Sequence, residues 1–241
     1  MKFSTTVLNR VVSASALTAV VAFGPIFTAI AHAETINGAG ATFPAPLYER
    51  YAREVKKKYP ELGVNYQAVG SGAGIRQVIS GTVDFGGSDA AMKDDEIAKV
   101  KNGVILVPTA GGAVSIVYNV PGVKELKLSR KTLPGIFSGQ ITNWNDPQIK
   151  ADNPGVNLPN QPIKVVVRAD SSGTSFIFSN HLTSISPYFK GRIGASTTPN
   201  WTIPNALKGK GNPGVANLVT RTPGAIGYVE PTKRVALTKR Y

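Results

Sequence analysis

The sequence predicts an α/β protein, because three segments with the pattern of strands each pass into a helical stretch through a short polar or glycine-rich turn. The clearest run is 163–167, which is followed by the turn 168–175 and the helical stretch 176–182. Similar turns follow the runs 35–41 and 64–69. Residues 34–241 are enough for one large domain or two small ones.

The first 33 residues have the features of a secretory signal peptide. Lys2 and Arg10 form a basic start, residues 11–30 are apolar, and Ala31-His32-Ala33 is a typical cleavage site. An uncleaved membrane anchor is the alternative, which the interruption by Gly24-Pro25 disfavours. We therefore expect cleavage after Ala33 and export to an extracytoplasmic space.

The composition excludes several classes of function. The 27 Lys and Arg include Lys2 and Arg10, so residues 34–241 carry 25 basic and 14 acidic side chains. The cations are scattered and no nucleic-acid motif accompanies them, so we expect small anions or anionic surfaces, and no nucleic acid, as partners. Cysteine is absent and His181 would be the only histidine after cleavage, which excludes a Cys/His zinc site. We predict no cofactor and no metal, and a surface or hydrogen-bonded role for His181.

The first half of the exported chain contains three strand-to-helix connections that end in hydroxyl or carboxyl groups. Thr42 follows the run 35–41 and is a candidate N-cap for a helix that extends to Pro60. Ser71 lies in the glycine-rich turn 70–74, after which we predict a helix over 75–79. The turn lacks the Gly-Lys-Ser/Thr ending of a nucleotide-binding loop, so nucleotide hydrolysis is not expected. Asp89 ends a short strand over 82–89 and precedes a polar helix over 92–100; on its own it could be a helix cap.

The second half is predicted to begin after a glycine-containing crossing at 108–112, which could absorb the torsional change of a hinge. We then expect a strand and a helix within 126–137, a loop at 140–147, a connection over 152–161 and an irregular stretch over 187–204. A helix over 214–220 and a buried strand over 224–229 complete the pattern.

The turn 168–175 is the strongest candidate for an anion site. The first turn of a helix offers backbone N–H groups and the positive end of the helix dipole. Ser172 and Thr174 add hydroxyl groups, Gly173 allows a close backbone approach, and Arg168 offers a planar fork suited to tetrahedral oxyanions. The alternative is an ordinary capped helix with Arg168 and Asp170 as a local ion pair.

Taken together, these motifs resemble the periplasmic phosphate-binding protein family of bacterial phosphate ABC transporters. The resemblance runs from about residue 36 to about residue 230, with the motifs in family order and at family spacing. The motifs are 38–46, 70–72, 83–89, 168–175 and 223–230. The start at 35–38 is also similar to DING-type phosphate binders.

The resemblance implies a two-lobed α/β fold that encloses inorganic phosphate between a first lobe over 34–110 and a second lobe over 111–230. It implies nine phosphate-binding residues: Thr42, Phe43, Ser71, Asp89, Arg168, Asp170, Ser172, Gly173 and Thr174. Asp89 would accept a hydrogen bond from protonated phosphate and repel fully ionised sulfate. Ser171 stands where the family often has glycine, which alters the turn without removing a ligand group.

The predicted function is therefore extracytoplasmic phosphate binding and delivery to the permease of an ABC importer, without enzymatic activity. Family members continue for roughly another hundred residues, whereas this chain ends in a basic tail over 231–241. The first lobe is accordingly expected to be incomplete. Two alternatives stay open: a truncated remnant that does not support transport, and a DING-like secreted phosphate binder or phosphatase.

Overall fold

A computed structural model of the chain describes residues 34–231. The predicted signal segment over 1–33, and all of the predicted basic tail except residue 231, lie outside these residues. Within the described part of the chain, no helix is long and apolar enough to span a membrane.

The first sheet has three parallel strands in the order β2-β1-β3. Its elements along the chain are β1 (Glu34–Gly40), α1 (Ala45–Lys58), β2 (Leu62–Ala68), α2 (Ser71–Ser80), β3 (Phe85–Gly87) and α3 (Asp94–Ile97). At the carboxyl end of β1, Gly40 is in register with Ala68 of β2 and Gly87 of β3. Because parallel strands end at the same edge, the three segments that follow them begin close together.

The second sheet has four strands in the order β4-β7-β5-β6, with β4 antiparallel to β7 and the other pairs parallel. Its elements along the chain are β4 (Ser115–Asn119), α4 (Thr132–Phe137), α5 (Pro147–Asp152), β5 (Lys164–Arg168), α6 (Gly173–Ile185), α7 (Pro187–Arg192), β6 (Leu207–Gly209), α8 (Gly211–Arg221) and β7 (Ala225–Val229). The carboxyl ends of β5, β6 and β7 therefore also share an edge.

The main hydrophobic core packs against the second sheet. Trp144, Phe137 and Tyr228 are fully buried there, and the rings of Phe178 and Tyr228 stack with centroids 4.4 Å apart. The Trp144 indole donates a hydrogen bond to the Gly224 carbonyl oxygen at 2.9 Å, so this large side chain leaves no unpaired polar atom. The core fixes β5 and β7, and these strands carry Arg168 and the segment that ends at Glu230.

The α/β prediction is confirmed, and the strands predicted at 35–41, 64–69, 163–167 and 224–229 are present with small shifts of their bounds. The division into lobes at residue 110 stays a prediction. The structure supplies a three-stranded sheet before that residue and a four-stranded sheet after it.

Several predicted helix bounds were wrong. Thr42 is not the N-cap of α1, because that position is held by Pro44, which makes no side-chain capping bond. Helix α2 begins at Ser71 rather than 75, so the glycine-rich turn is its first helical turn. The polar helix predicted over 92–100 is confined to α3, and the strand predicted near residue 126 is not formed.

The stretch 187–204 was predicted to be irregular but contains α7. Ser186 caps this helix, because its Oγ accepts a hydrogen bond from the Phe189 N–H at 3.2 Å. Pro187 occupies the first helical position, where the missing N–H costs nothing. The Ser-Pro pair was the sequence signal for this helix.

Candidate anion-binding site

Arg168 lies at the carboxyl end of β5, and only 2% of its side chain is exposed. Its Nε donates to Asp170 Oδ1 at 2.9 Å and its Nη2 donates to Asp170 Oδ2 at 2.5 Å. Its Nη1 donates to Asn212 Oδ1 at 3.0 Å and to Thr174 Oγ1 at 3.4 Å. The guanidinium is therefore held in one orientation from three sides.

Asp170 orients the guanidinium and is itself anchored on the start of α8, since its Oδ1 accepts a hydrogen bond from the Gly211 N–H at 2.9 Å. Burial alone would raise the pKa of Asp170, but the hydrogen bonds and the charge of Arg168 outweigh burial and hold that pKa below its usual value. The ion pair proposed as the ordinary alternative is thus present. It is a buried bidentate pair rather than a surface pair.

Helix α6 begins at Gly173 rather than at the predicted residue 176, and its start is capped, as in the alternative interpretation of this turn. Ser172 Oγ accepts a hydrogen bond from the Ser175 N–H at 3.1 Å, and the Ser172 N–H donates to the Thr197 carbonyl oxygen at 2.8 Å. Gly173 and Thr174 form the first helical positions and are buried. The Gly173 N–H and the Thr174 hydroxyl lie beside Ser71 and Asp89, which follow strands β2 and β3 of the first sheet.

Ser71 joins the starts of α2 and α6. Its Oγ accepts hydrogen bonds from the Gly173 N–H at 3.1 Å and from the Asp89 N–H at 3.3 Å. A Cβ at position 173 would lie 2.5 Å from Ser71 Oγ and 2.7 Å from Asp89 Oδ2, so this approach requires glycine. Two helix N-termini with the positive ends of their dipoles therefore meet at one point.

Asp89 follows β3 and faces the first turn of α6. The Thr174 hydroxyl lies 3.3 Å from Asp89 Oδ2. Burial raises the pKa of Asp89, while hydrogen bonds from the Thr174 side chain and backbone and the charge of Arg168 oppose that rise. The Asp89 carboxylate thus lies among hydrogen-bond donors and a cation, where it can accept a hydrogen bond from a protonated oxygen of a ligand.

Thr42 and Phe43 approach the site from the loop between β1 and α1. Thr42 Oγ1 accepts a hydrogen bond from the Asn212 N–H at 3.2 Å and so connects to the residue that also holds Arg168. Phe43 is partly buried, and a Cβ at Gly112 would overlap its ring. Phe43 therefore contacts the segment predicted as the hinge.

The site contains two buried polar residues, Asn212 and Glu230, to which no role was assigned from the sequence. Asn212 is fully buried at the start of α8, and its Nδ2 has no hydrogen-bond partner among the described residues. Glu230 directly follows β7, is 2% exposed, and has its Oε2 3.2 Å from Thr174 Oγ1. Two sequence signals could have identified these residues. Asn212 lies at a glycine-containing helix start after a strand, as Ser71 does, and Glu230 is an acid after an apolar strand.

The arrangement is suited to a tetrahedral oxyanion. It combines one buried guanidinium, two helix N-termini, several hydroxyl groups and carboxyl groups that can accept from a protonated ligand. Within residues 34–231 there is no group of three acidic or histidine side chains that could hold a metal ion. His181 lies exposed on α6.

A family model described as a PBP superfamily domain matches residues 28–239. Among curated proteins, the chain is 43% identical over 202 residues to the phosphate-binding protein PstS of Haemophilus influenzae, covering 83% of this chain and 59% of that protein. It is 42% identical over 206 residues to PstS of Pasteurella multocida, covering 85% and 58%. The chain thus spans less than two thirds of the length of these relatives.

Two solved structures share the fold. One is a high-affinity periplasmic phosphate-binding protein, PfluDING, bound with phosphate; it has a TM-score of 0.67 and 27% identity, with 81% of this chain and 56% of that chain covered. The other is an ABC-type phosphate transport receptor from Vibrio cholerae, with a TM-score of 0.51, 25% identity, and 82% and 71% covered. The resemblance predicted from the motifs is confirmed, and the chain belongs to the PBP superfamily.

Proposed function

We propose that the chain binds inorganic phosphate outside the cytoplasm and presents it to the permease of an ABC-type phosphate importer. The observation that carries this proposal is the convergence of the buried Arg168 fork with the starts of α2 and α6 and the Asp89 carboxyl. The nine residues predicted from the resemblance remain our proposed phosphate contacts.

Asp89 gives the proposal its choice of ligand. Phosphate keeps at least one proton at neutral pH and can donate it to a carboxylate, whereas sulfate has no proton to donate. Placing a carboxylate beside Arg168 and Thr174 would weaken a site built for sulfate. The same carboxylate favours a ligand that carries a proton, so the geometry favours phosphate.

The relatives support the ligand, the partner and the location. The curated proteins are named phosphate-binding proteins, one solved relative is described as periplasmic and bound with phosphate, and another as an ABC-type phosphate transport receptor. An extracytoplasmic location follows the same relatives, and export through a signal peptide cleaved after Ala33 is our proposal for this chain. We propose a non-enzymatic role, as the names of the binding proteins indicate.

Isothermal titration calorimetry of the purified chain tests the proposal. We expect phosphate to bind and sulfate to bind far more weakly. Arg168→Ala should weaken phosphate binding by at least about 30-fold, because it removes a buried charge-assisted donor and leaves Asp170 unpaired. Arg53→Ala, which removes an exposed cation on α1, is the matched control and should bind as the unmodified chain does. Equal affinities for phosphate and sulfate would contradict the proposal.

A further inference from the structure

Glu230 is a buried acid whose environment differs from that of the other carboxyl groups in the site. It is 2% exposed at the end of β7 and, in the part of the chain described, forms no ion pair with a Lys or Arg side chain. Its Oε2 lies 3.2 Å from Thr174 Oγ1. An ionised carboxylate buried without a cation partner would be costly.

The hydrogen-bonding capacity of Thr174 favours a proton on one carboxyl group of the site. A threonine hydroxyl has one proton and two acceptor lone pairs. The three polar neighbours of Thr174 Oγ1 are Arg168 Nη1 at 3.4 Å, Asp89 Oδ2 at 3.3 Å and Glu230 Oε2 at 3.2 Å. Arg168 can only donate, and the single hydroxyl proton can serve only one carboxylate. With both acids ionised, one of the two contacts would join two acceptor oxygens.

The surroundings of the two acids indicate which one holds the proton. Asp89 faces the first turn of α6 and accepts from the Thr174 side chain and backbone, so the helix N-terminus stabilises its charged form. Glu230 follows a strand, and the groups that oppose the effect of burial on its pKa are the side chains of Thr174, Asn212 and Arg168, with no backbone N–H among them. The charged groups that face Glu230 are Asp89 after β3 and Arg168 at the carboxyl end of β5, and the charge of Arg168 is already paired with Asp170.

We propose that Glu230 is a neutral acid that donates its proton to Thr174 Oγ1 and thereby directs the Thr174 hydroxyl proton toward Asp89. This inference rests on the proposed phosphate-binding function. Glu230 is a positioning residue here, because it acts through Thr174. Its ionisation would also add a negative charge beside the anion, so phosphate binding should be lost as Glu230 deprotonates.

The acid–base properties of Glu230 agree with this geometry. Burial, and after it the negative charge of Asp89, raises the pKa of Glu230 from its ordinary value of 4.5 to about 8. If phosphate binds only the protonated form, the affinity at pH 9 should be about tenfold lower than it would be with Glu230 fully protonated. The amide of glutamine can donate to Thr174 Oγ1 but cannot ionise.

The experiment is phosphate calorimetry from pH 6 to pH 10 on the chain, on Glu230→Gln and on Glu49→Gln, an exposed acid on α1. The ionisation of phosphate affects both proteins equally at a given pH, so it cancels when their affinities are compared as a ratio. The affinity of the unmodified chain relative to Glu230→Gln should fall about tenfold toward pH 9, whereas its ratio to Glu49→Gln should stay constant. A constant ratio to Glu230→Gln would overturn the inference.

A second measurement needs no phosphate and separates this inference from the proposed function. Folding holds a proton on Glu230 that the unfolded chain loses above pH 4.5, so stability should fall as pH rises from about 4.5 to about 8 and level off above. Urea unfolding should show this fall in the chain relative to Glu230→Gln, in which all other titrating groups are shared. If stability falls in this way but the chain does not bind phosphate, the proposed function is refuted and the neutral Glu230 is retained. A flat difference would refute the neutral acid.

Discussion

At the scale of single residues, we propose that Asp89 determines which anions the site accepts. It is the acid that follows β3, and its partner Thr174 comes from the first turn of α6. Arg168 supplies attraction for any oxyanion, since a guanidinium does not distinguish phosphate from sulfate. Discrimination must therefore come from a group that requires a proton on the ligand.

We expect Asp89→Asn to reduce the preference for phosphate over sulfate by about tenfold or more, because the asparagine amide can donate to an unprotonated oxyanion and carries no repelling charge. Competition calorimetry with the two anions measures this preference. Asp94→Asn, which changes an exposed acid in α3, should keep the original preference. An unchanged preference in Asp89→Asn would show that another group rejects sulfate.

The sequence predicted most of the polar groups that gather at the site, but it gave no role to Asn212 and Glu230. Arg168, Asp170 and Thr174 lie in one short turn, so local chemistry alone suggested their proximity. Glu230 reaches Thr174 only because β7 pairs with β5, and pairing between strands distant in sequence leaves no local signal. Its burial, on which its proposed neutral state depends, is equally a property of the folded sheet.

At the scale of elements, the site depends on the close contact between the starts of α2 and α6. The Gly72 N–H donates to the Ser171 carbonyl oxygen at 3.1 Å, and Gly173 donates to Ser71. The sequence predicted a glycine-rich turn before α2, but the structure places most of it inside the helix. The reason is tertiary, because small residues in the first turn of α2 let α6 approach.

Gly70, the N-cap of α2, tests the importance of this contact. Its φ is +95°, and a Cβ there would overlap Asp170 Oδ2 and lie 2.8 Å from the Ser171 carbonyl oxygen. Its ψ is 149°, a backbone conformation that is nearly restricted to glycine. We expect Gly70→Ala to lower the free energy of unfolding by about 2–6 kcal/mol, the sum of backbone strain and overpacking. It should also weaken phosphate binding, since it displaces the carboxylate that orients Arg168.

Gly81→Ala is the matched control for Gly70→Ala. Gly81 has a φ of +68° at the end of α2, but a Cβ there would meet nothing within 4 Å. This variant should therefore show the cost of a left-handed residue without any overlap, about 1–2 kcal/mol, with phosphate affinity retained. Urea unfolding and calorimetry measure the two quantities. Equal phosphate affinities for the two variants would mean that the α2–α6 contact does not shape the site.

At the scale of the whole molecule, the candidate site is the place where the segments of the two sheets are hydrogen-bonded to each other. Ser71 receives the Gly173 N–H, Thr42 receives the Asn212 N–H, and Asp89 meets Thr174. The alternation of strands and helices predicted an α/β fold, and the division into two lobes came from the family resemblance. The placement of β7 between β4 and β5 could not be predicted, because it depends on which strand edges bury the most apolar surface.

An anion that contacts both sets of segments should stabilise the whole folded chain. At a phosphate concentration of 100 times Kd the stabilisation is about 2.7 kcal/mol, which corresponds to a rise in Tm of about 5–10 °C for a chain of this size. Differential scanning calorimetry at pH 7 measures it. Sulfate at equal concentration should give little shift, and Arg168→Ala should lose most of the phosphate shift. Equal shifts with both anions would mean that ionic strength, rather than a ligand held between the two sheets, stabilises the fold.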